Sequence, residues 1–261
     1  MKQISLLYKQ FGIKRTISAT LPEAWDELTP SQLIAVSRNN AGDIPETEML
    51  AYFLGIKKNV AVLLDDYQRY CIAIELDFMK DFKPFYSFVI RNIKGLTSPR
   101  PRLEGMSFAQ FIFADTYNEI AITADDNTQL NKFIACLYLP EGKAFDEQLI
   151  QCRADYVELF FLPEEKTAIN LNYRLVKEWL CNQYPLIFQK PTEDNSEADP
   201  VAERSRGHRG TAAGRSRGSD WVKLYESLVG DDIVNQDKYA ALPLHTVFRY
   251  LTQKIKENGR K

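Results

Sequence analysis

Apolar and polar residues alternate in two short runs at the start of the chain, "QISLLY" and "IKRTISA", on either side of "KQFG". A period of two marks a half-buried strand, and Gly12 can supply the positive φ of a tight turn, so the first twenty residues are expected to form a small β-hairpin. In "LPEAWDELTPSQLIAVSRN" the spacing lengthens to that of a helix, with Thr29 as N-cap, Pro30 at the first helical position, and Leu33, Ile34 and Ser37 following. From there to about residue 188 helical spacing dominates. Val60, Leu63, Leu64, Tyr67, Tyr70, Cys71, Ile74 and Phe78 recur at intervals that predict one buried face. Leu130, Phe133, Ile134 and Leu137 repeat the pattern, as do Ile169, Tyr173, Val176, Leu180 and Tyr184, on a helix that Tyr184-Pro185 terminates. Helices joined by short turns imply a compact bundle.

The pattern stops at residue 189. The stretch "QKPTEDNSEADPVAERSRGHRGTAAGRSRGSD" has almost no large apolar residue with which to offset the entropy of ordering, so 189–219 is expected to be a flexible charged linker. Beyond it, "DWVKLYESLVG" and "LHTVFRYLTQKI" read as two amphipathic helices, the first with Asp220 as cap and Gly230 as stop. The expected fold is mainly α: a helical bundle over 1–188 with an N-terminal β-hairpin, the linker, and a helical hairpin over 220–261. Leu-Pro-Glu occurs three times, but at unequal intervals, and proline followed by glutamate suits the first turn of any helix, so no repeat architecture follows.

Charge changes this picture little. Lys and Arg number 33 against 35 Asp and Glu, a formal charge of −2, so the chain lacks the overall positive field of a dedicated nucleic-acid binder. The opening apolar run is cut by Lys9 and Gln10, and eighteen apolar residues nowhere run together, which gives neither a signal peptide nor a membrane span and predicts a cytoplasmic protein. Cys71, Cys136, Cys152 and Cys181 lie singly in apolar segments and are expected to be buried, reduced thiols. The two histidines, His208 and His245, have no neighbour with which to build a metal site or a nucleophilic relay. Paired acids such as Asp65-Asp66, Asp125-Asp126 and Asp231-Asp232 fit caps and solvated faces. No catalytic residue, metal or cofactor is predicted.

Two stretches invite a binding role. Arg204, Arg206, Arg209, Arg215 and Arg217 could contact phosphate, but acids precede them and no aromatic is interleaved for base stacking, so a charge-balanced tether is the favoured reading and nucleic-acid binding the lesser one. In "MSFAQFIFADTYNEIAI", Phe108, Phe111 and Ile112 form a core-facing stripe while Phe113 and Tyr117 point off it, either into a bundle that surrounds the helix or into a groove for a partner's helix.

The order of "LPEAWDELTPSQL", "MSFAQFIFADTY", "LNKFIACLYLP", "FDEQLIQCRADYVELFFLP", "YPLIF" and "DWVKLYESLVG" resembles tail-module proteins of phages and prophages of Bacteroides-type bacteria, in the manner of tail assembly chaperones. The likeness covers most of 21–188 and, more loosely, 220–251, and it consists of helix-framework motifs. It implies a non-enzymatic helper, acting in the host cytoplasm, that binds the long helical tape measure protein and recruits tail tube subunits. Trp221, Leu224, Tyr225, Leu228, Val247 and Phe248 are then expected to divide between packing within the hairpin and contact with the partner, with Phe113 and Tyr117 as further partner-binding residues. The alternatives are a head-tail connector or minor virion protein, and a nucleic-acid-binding module acting through the linker arginines.

Overall fold

The computed structural model describes residues 1–188, 218–230 and 232–258. The expected hairpin is present as β1 (Lys2–Gln10) and β2 (Ile13–Leu21), antiparallel, with Leu6 opposite Ile17 and Tyr8 opposite Arg15. Its two loop residues, Phe11 and Gly12, are both left-handed (φ 51° and 78°), the turn geometry whose twist matches that of the strands. Ile4, Leu6, Ile17 and Leu21 face the core, whereas Ser5, Thr16, Ser18 and Thr20 are exposed on the other side.

α1 (Pro30–Asn40) starts as its sequence predicts: Thr29 Oγ1 accepts from the Gln32 N–H (3.3 Å) and Gln32 Oε1 accepts from the Thr29 N–H (2.9 Å). α2 (Glu46–Leu54) ends at the left-handed Gly55. The long stripe expected over 60–78 is broken into α3 (Lys58–Ala61) and α4 (Asp66–Glu75), because Asp65 and Gln68 form a second reciprocal cap that begins a new helix. Half of that stripe is also turned outward. Leu64 is buried and Val60, Cys71 and Phe78 are half-buried, but Leu63, Tyr67, Tyr70 and Ile74 are exposed, and it is Ile72, outside the stripe, that α4 buries.

A small antiparallel sheet of β3 (Asn92–Ile93), β4 (Leu96–Thr97) and β5 (Leu139–Pro140) closes one side of the bundle. α5 (Phe108–Ala124) and α6 (Asn127–Leu137) are joined through Asp125, which is left-handed, and Asp126, whose carboxylate accepts from the Thr128 N–H at 2.7 Å. α7 (Ile150–Phe160) packs on α6, and α8 (Pro163–Gln183) packs on α1. Buried polar side chains pin the irregular segment before α5: the Tyr138 hydroxyl donates to Ile90 O (2.6 Å), and Asn172 accepts from the Val89 N–H (2.7 Å) while donating to Ser87 O (3.2 Å).

The C-terminal part is α9 (Gly218–Val229), α10 (Gln236–Ala240) and α11 (Leu244–Asn258). α10 is a helix that the sequence pattern does not show. α9 begins at Gly218 and not at an Asp220 cap, and it stops at left-handed Gly230 as expected. This segment is not a free hairpin. Trp221, Leu244, Val247, Phe248 and Leu251 belong to the same core cluster as Phe108 and Phe111 of α5 and Tyr173, Val176 and Leu180 of α8. The backbone is stitched as well, Phe108 N–H donating to Leu242 O (2.9 Å) and Leu244 N–H to Met106 O (3.0 Å). The four cysteines are free, but only Cys136 is buried; Cys71 and Cys181 are half-buried and Cys152, on the outer side of α7, is exposed.

Candidate partner-binding surface

Of the residues expected to meet a partner, three are withdrawn into the chain's own core. Trp221, Val247 and Phe248 are at most 5% exposed. The Trp221 ring stands edge-on to Phe111 (centroids 5.1 Å apart), stacks on Phe248 (6.0 Å) and meets Phe188 (5.7 Å), so the aromatic side of α9 and α11 is used to cover α5. Leu224, Tyr225 and Leu228 are half-buried against the same cluster, and the Tyr225 hydroxyl donates to Gln236 O (2.7 Å). Phe113 and Tyr117 also have intramolecular partners: their rings stack 6.2 Å apart, Phe145 lies 5.8 Å from Phe113, and the Lys132 ammonium stands over Tyr117 at 5.6 Å. The first half of α5 is therefore enclosed by the chain's own side chains, whereas Ile120 and Ile122 near its C-terminal end are exposed. Arg204, Arg206, Arg209, Arg215 and Arg217, with His208, lie outside the described residues.

What holds the C-terminal helices in place is a polar group that apolar periodicity does not reveal. Asp115 of α5 is 1% exposed, and it accepts from the Tyr173 hydroxyl (2.8 Å), the Trp221 indole N–H (2.9 Å) and the Lys177 ammonium (2.6 Å). Lys177 also reaches Glu119 at 3.2 Å. Burial opposes the charge on Lys177, yet Asp115 and Glu119 hold its pKa above the ordinary lysine value. Burial first, and then the neighbouring Asp115 charge, push Glu119 up, and the same two causes lift the Tyr173 hydroxyl well above its usual range. A charged, fully paired centre thus joins α5, α8 and α9. The sequence does carry a sign of it, because an aspartate in the middle of an apolar helix, four residues before a glutamate, requires a buried cation.

Among the described residues, free apolar surface lies at the end of α7, with Tyr156, Leu159, Phe160 and Leu162, and on α4. At 100° per residue, Tyr67, Tyr70 and Ile74 all fall within about 40° of the direction opposite buried Ile72, and they are 75%, 63% and 52% exposed. Leu63, 43% exposed, lies in the turn before the α4 cap, so the seam on the helix itself is Tyr67, Tyr70 and Ile74, spaced three and four residues apart. That is the spacing of the apolar seam along which two helices pack at a shallow angle. With about 200 Å² for a whole tyrosine side chain, the two tyrosines present about 270 Å² and the four residues about 400 Å². This is within the usual range for the largest apolar patch of a monomer and about half of what one partner gives to a stable complex. The patch is framed by Asp66 and Arg69, and the Gln68 amide donates to Leu7 O (2.6 Å), which stands the hairpin beside the first turn of α4. Leu7, Phe11 and Ile13 on the hairpin are exposed too.

Comparison with protein families, with curated proteins and with solved structures finds no match to this chain. Among the described residues no helix is long and apolar enough to cross a membrane.

Proposed function

We propose that this is a non-enzymatic assembly helper of the phage tail chaperone type, which binds an elongated helical tail protein such as the tape measure protein. The observation that carries the reading is the outward stripe of α4. An apolar seam with helix-packing periodicity, set opposite the core, suits a helix from another molecule, and its modest area suits a partner that is held for a time and released. The binding residues in this reading are Leu63, Tyr67, Tyr70 and Ile74, in place of the C-terminal aromatics. Those aromatics contribute indirectly, by keeping the bundle closed.

The test is co-expression of the full chain with the coiled-coil-rich tail protein of the same phage or prophage, scoring the partner's solubility and co-purification. The wild-type chain is expected to keep the partner soluble, and a Tyr67→Glu/Tyr70→Lys double variant to fail while melting as the wild type does. If the wild type neither binds nor solubilises the partner, the chaperone reading falls; if the double variant works as well as the wild type, the stripe is not the binding surface. Recovery of the protein in purified particles would instead make it a virion component.

A further inference from the structure

A second surface has the chemistry of a ligand site. Between the segment before α5, the end of α8 and the first turn of α11 lies an open cleft of about 700 Å³. Its wall is aromatic: Tyr86 and Trp179 meet with centroids 6.1 Å apart, and Trp179 stands edge-on to the His245 ring at 6.5 Å. Two arginines reach it. The Arg102 guanidinium lies over the Tyr86 ring at 5.3 Å, and Arg249 is anchored by its Nε–H to His245 O at 3.1 Å. Among the described residues neither guanidinium has a carboxylate partner, so both are available to an incoming anion.

The backbone beneath Arg102 is held in a conformation that it would not choose alone. Arg102 and Leu103 are successive non-glycine residues in the left-handed region, with φ 63° and 59°. Three contacts impose this: Leu103 is buried, the Arg102 N–H donates to Tyr86 O at 2.6 Å, and the Arg102 carbonyl is bound by His245 Nε2. A carbonyl only accepts, so Nε2 donates to it, and Nδ1 is hydrogen-bonded to the Tyr184 hydroxyl at 2.8 Å. Both histidine nitrogens are thereby used to fix the loop, and the fixed loop lays the Arg102 side chain along the aromatic wall. Strain kept beside two arginines and an aromatic platform points to binding.

We propose that this cleft binds a peptide segment in which a carboxylate side chain sits beside an aromatic or aliphatic one, the carboxylate meeting Arg102 and Arg249 and the apolar group lying on Trp179. Glu104 lines the same cleft and offsets part of its positive charge, and two arginines are too few for a track along nucleic acid. The site is separate from the α4 stripe and does not depend on what the stripe binds.

The experiment is fluorescence anisotropy on the full chain with three labelled probes: a ten-residue peptide mixing Asp and Glu with Phe and Leu, the same peptide with Asn and Gln in place of the acids, and a single-stranded oligonucleotide of equal charge. Arg102→Gly is an informative variant, because glycine accepts the left-handed backbone, so the side chain is removed while the loop keeps its conformation. Arg249→Gln removes the second charge from an exposed position. The acidic peptide is expected to bind, the amide peptide to bind at least about tenfold more weakly, and each variant to lose about tenfold while melting no lower than the wild type. Equal binding of the two peptides, wild-type binding by both variants, or no binding of the acidic peptide would overturn the proposal. So would an oligonucleotide that binds more tightly than the peptide and loses that binding in the same variants.

Discussion

Replacing Trp221 by alanine asks whether the C-terminal helices are part of the core or an attachment to it. Truncating a buried tryptophan costs about 3–5 kcal/mol. Here it also removes the indole N–H from Asp115, a hydrogen bond to a charged group worth about 1.5–3 kcal/mol. Asp115 keeps Tyr173 and Lys177, so the two costs overlap, and about 5 kcal/mol is the expected total. For a chain of this size that corresponds to a fall in Tm of about 10–20 °C. Trp221→Phe keeps the ring among Phe111, Phe188 and Phe248 and loses mainly the hydrogen bond, so it should cost about 2 kcal/mol, or about 4–8 °C. The assay is thermal unfolding followed by far-ultraviolet circular dichroism, with limited proteolysis alongside. If Trp221→Ala leaves the main transition where it was and only the last forty or so residues become protease-sensitive, α9 to α11 fold as a separate unit and the shared-core reasoning is refuted.

Other outcomes follow from single features. Phe11 holds a left-handed turn position while 92% exposed, so Phe11→Asn should relieve backbone strain without losing packing and raise Tm by about 2 °C; a fall would mean that the ring packs on something. Thr29→Ala removes one half of the α1 cap and should cost about 1 kcal/mol in urea denaturation, against less for Ser31→Ala, which removes only the hydroxyl contact to Thr29 Oγ1 (3.2 Å). Burial pushes the Cys136 and Cys181 thiols up to about 12, whereas unfolded thiols ionise near 9. The folded state then keeps protons that the unfolded state has shed, so stability is fully present below pH 9 and falls as the pH rises toward 12. The urea midpoint should drop between about pH 9 and 11, and Cys136→Ala should flatten the drop; a midpoint that rises with pH would contradict the burial of these thiols.

What could be read from the sequence was whatever is decided locally. The Phe11-Gly12 turn, the Thr29-Pro30 start and the end of α8 at Tyr184-Pro185 are each fixed by residues within a few positions of one another, and each forms where it was expected. The apolar stripes of α6 and α8 were legible because the bundle buries them. The stripe at 63–74 shows where that reasoning ends. Periodicity tells which residues share a face of a helix, but whether the face meets the core depends on what packs against it, and α4 turns its seam outward because Ile72 on the other side is the residue that the bundle accepts. Trp221 and Phe248 carry the composition of a binding surface for the same reason that they make a good core, and only the Asp115 acceptor, 106 residues from Trp221, decides between the two. The cleft arginines belong to no motif, since Arg102 and Arg249 come together only when Met106 and Leu244 pair.

The dependence of α5 on α9 and α11 has a consequence for how the chain is born. Phe108 and Phe111 leave the ribosome early, but Trp221 and Phe248, which cover them, are among the last residues made. At about 5–20 residues per second, the stretch from α5 to Phe248 takes about 7–28 seconds to synthesise, and over that interval an aromatic face stands open on an otherwise foldable bundle. A product that stops near residue 190 never closes it. Such a short form would be sticky where the whole chain is not, so its loss of partner binding would report a broken core and not a missing contact.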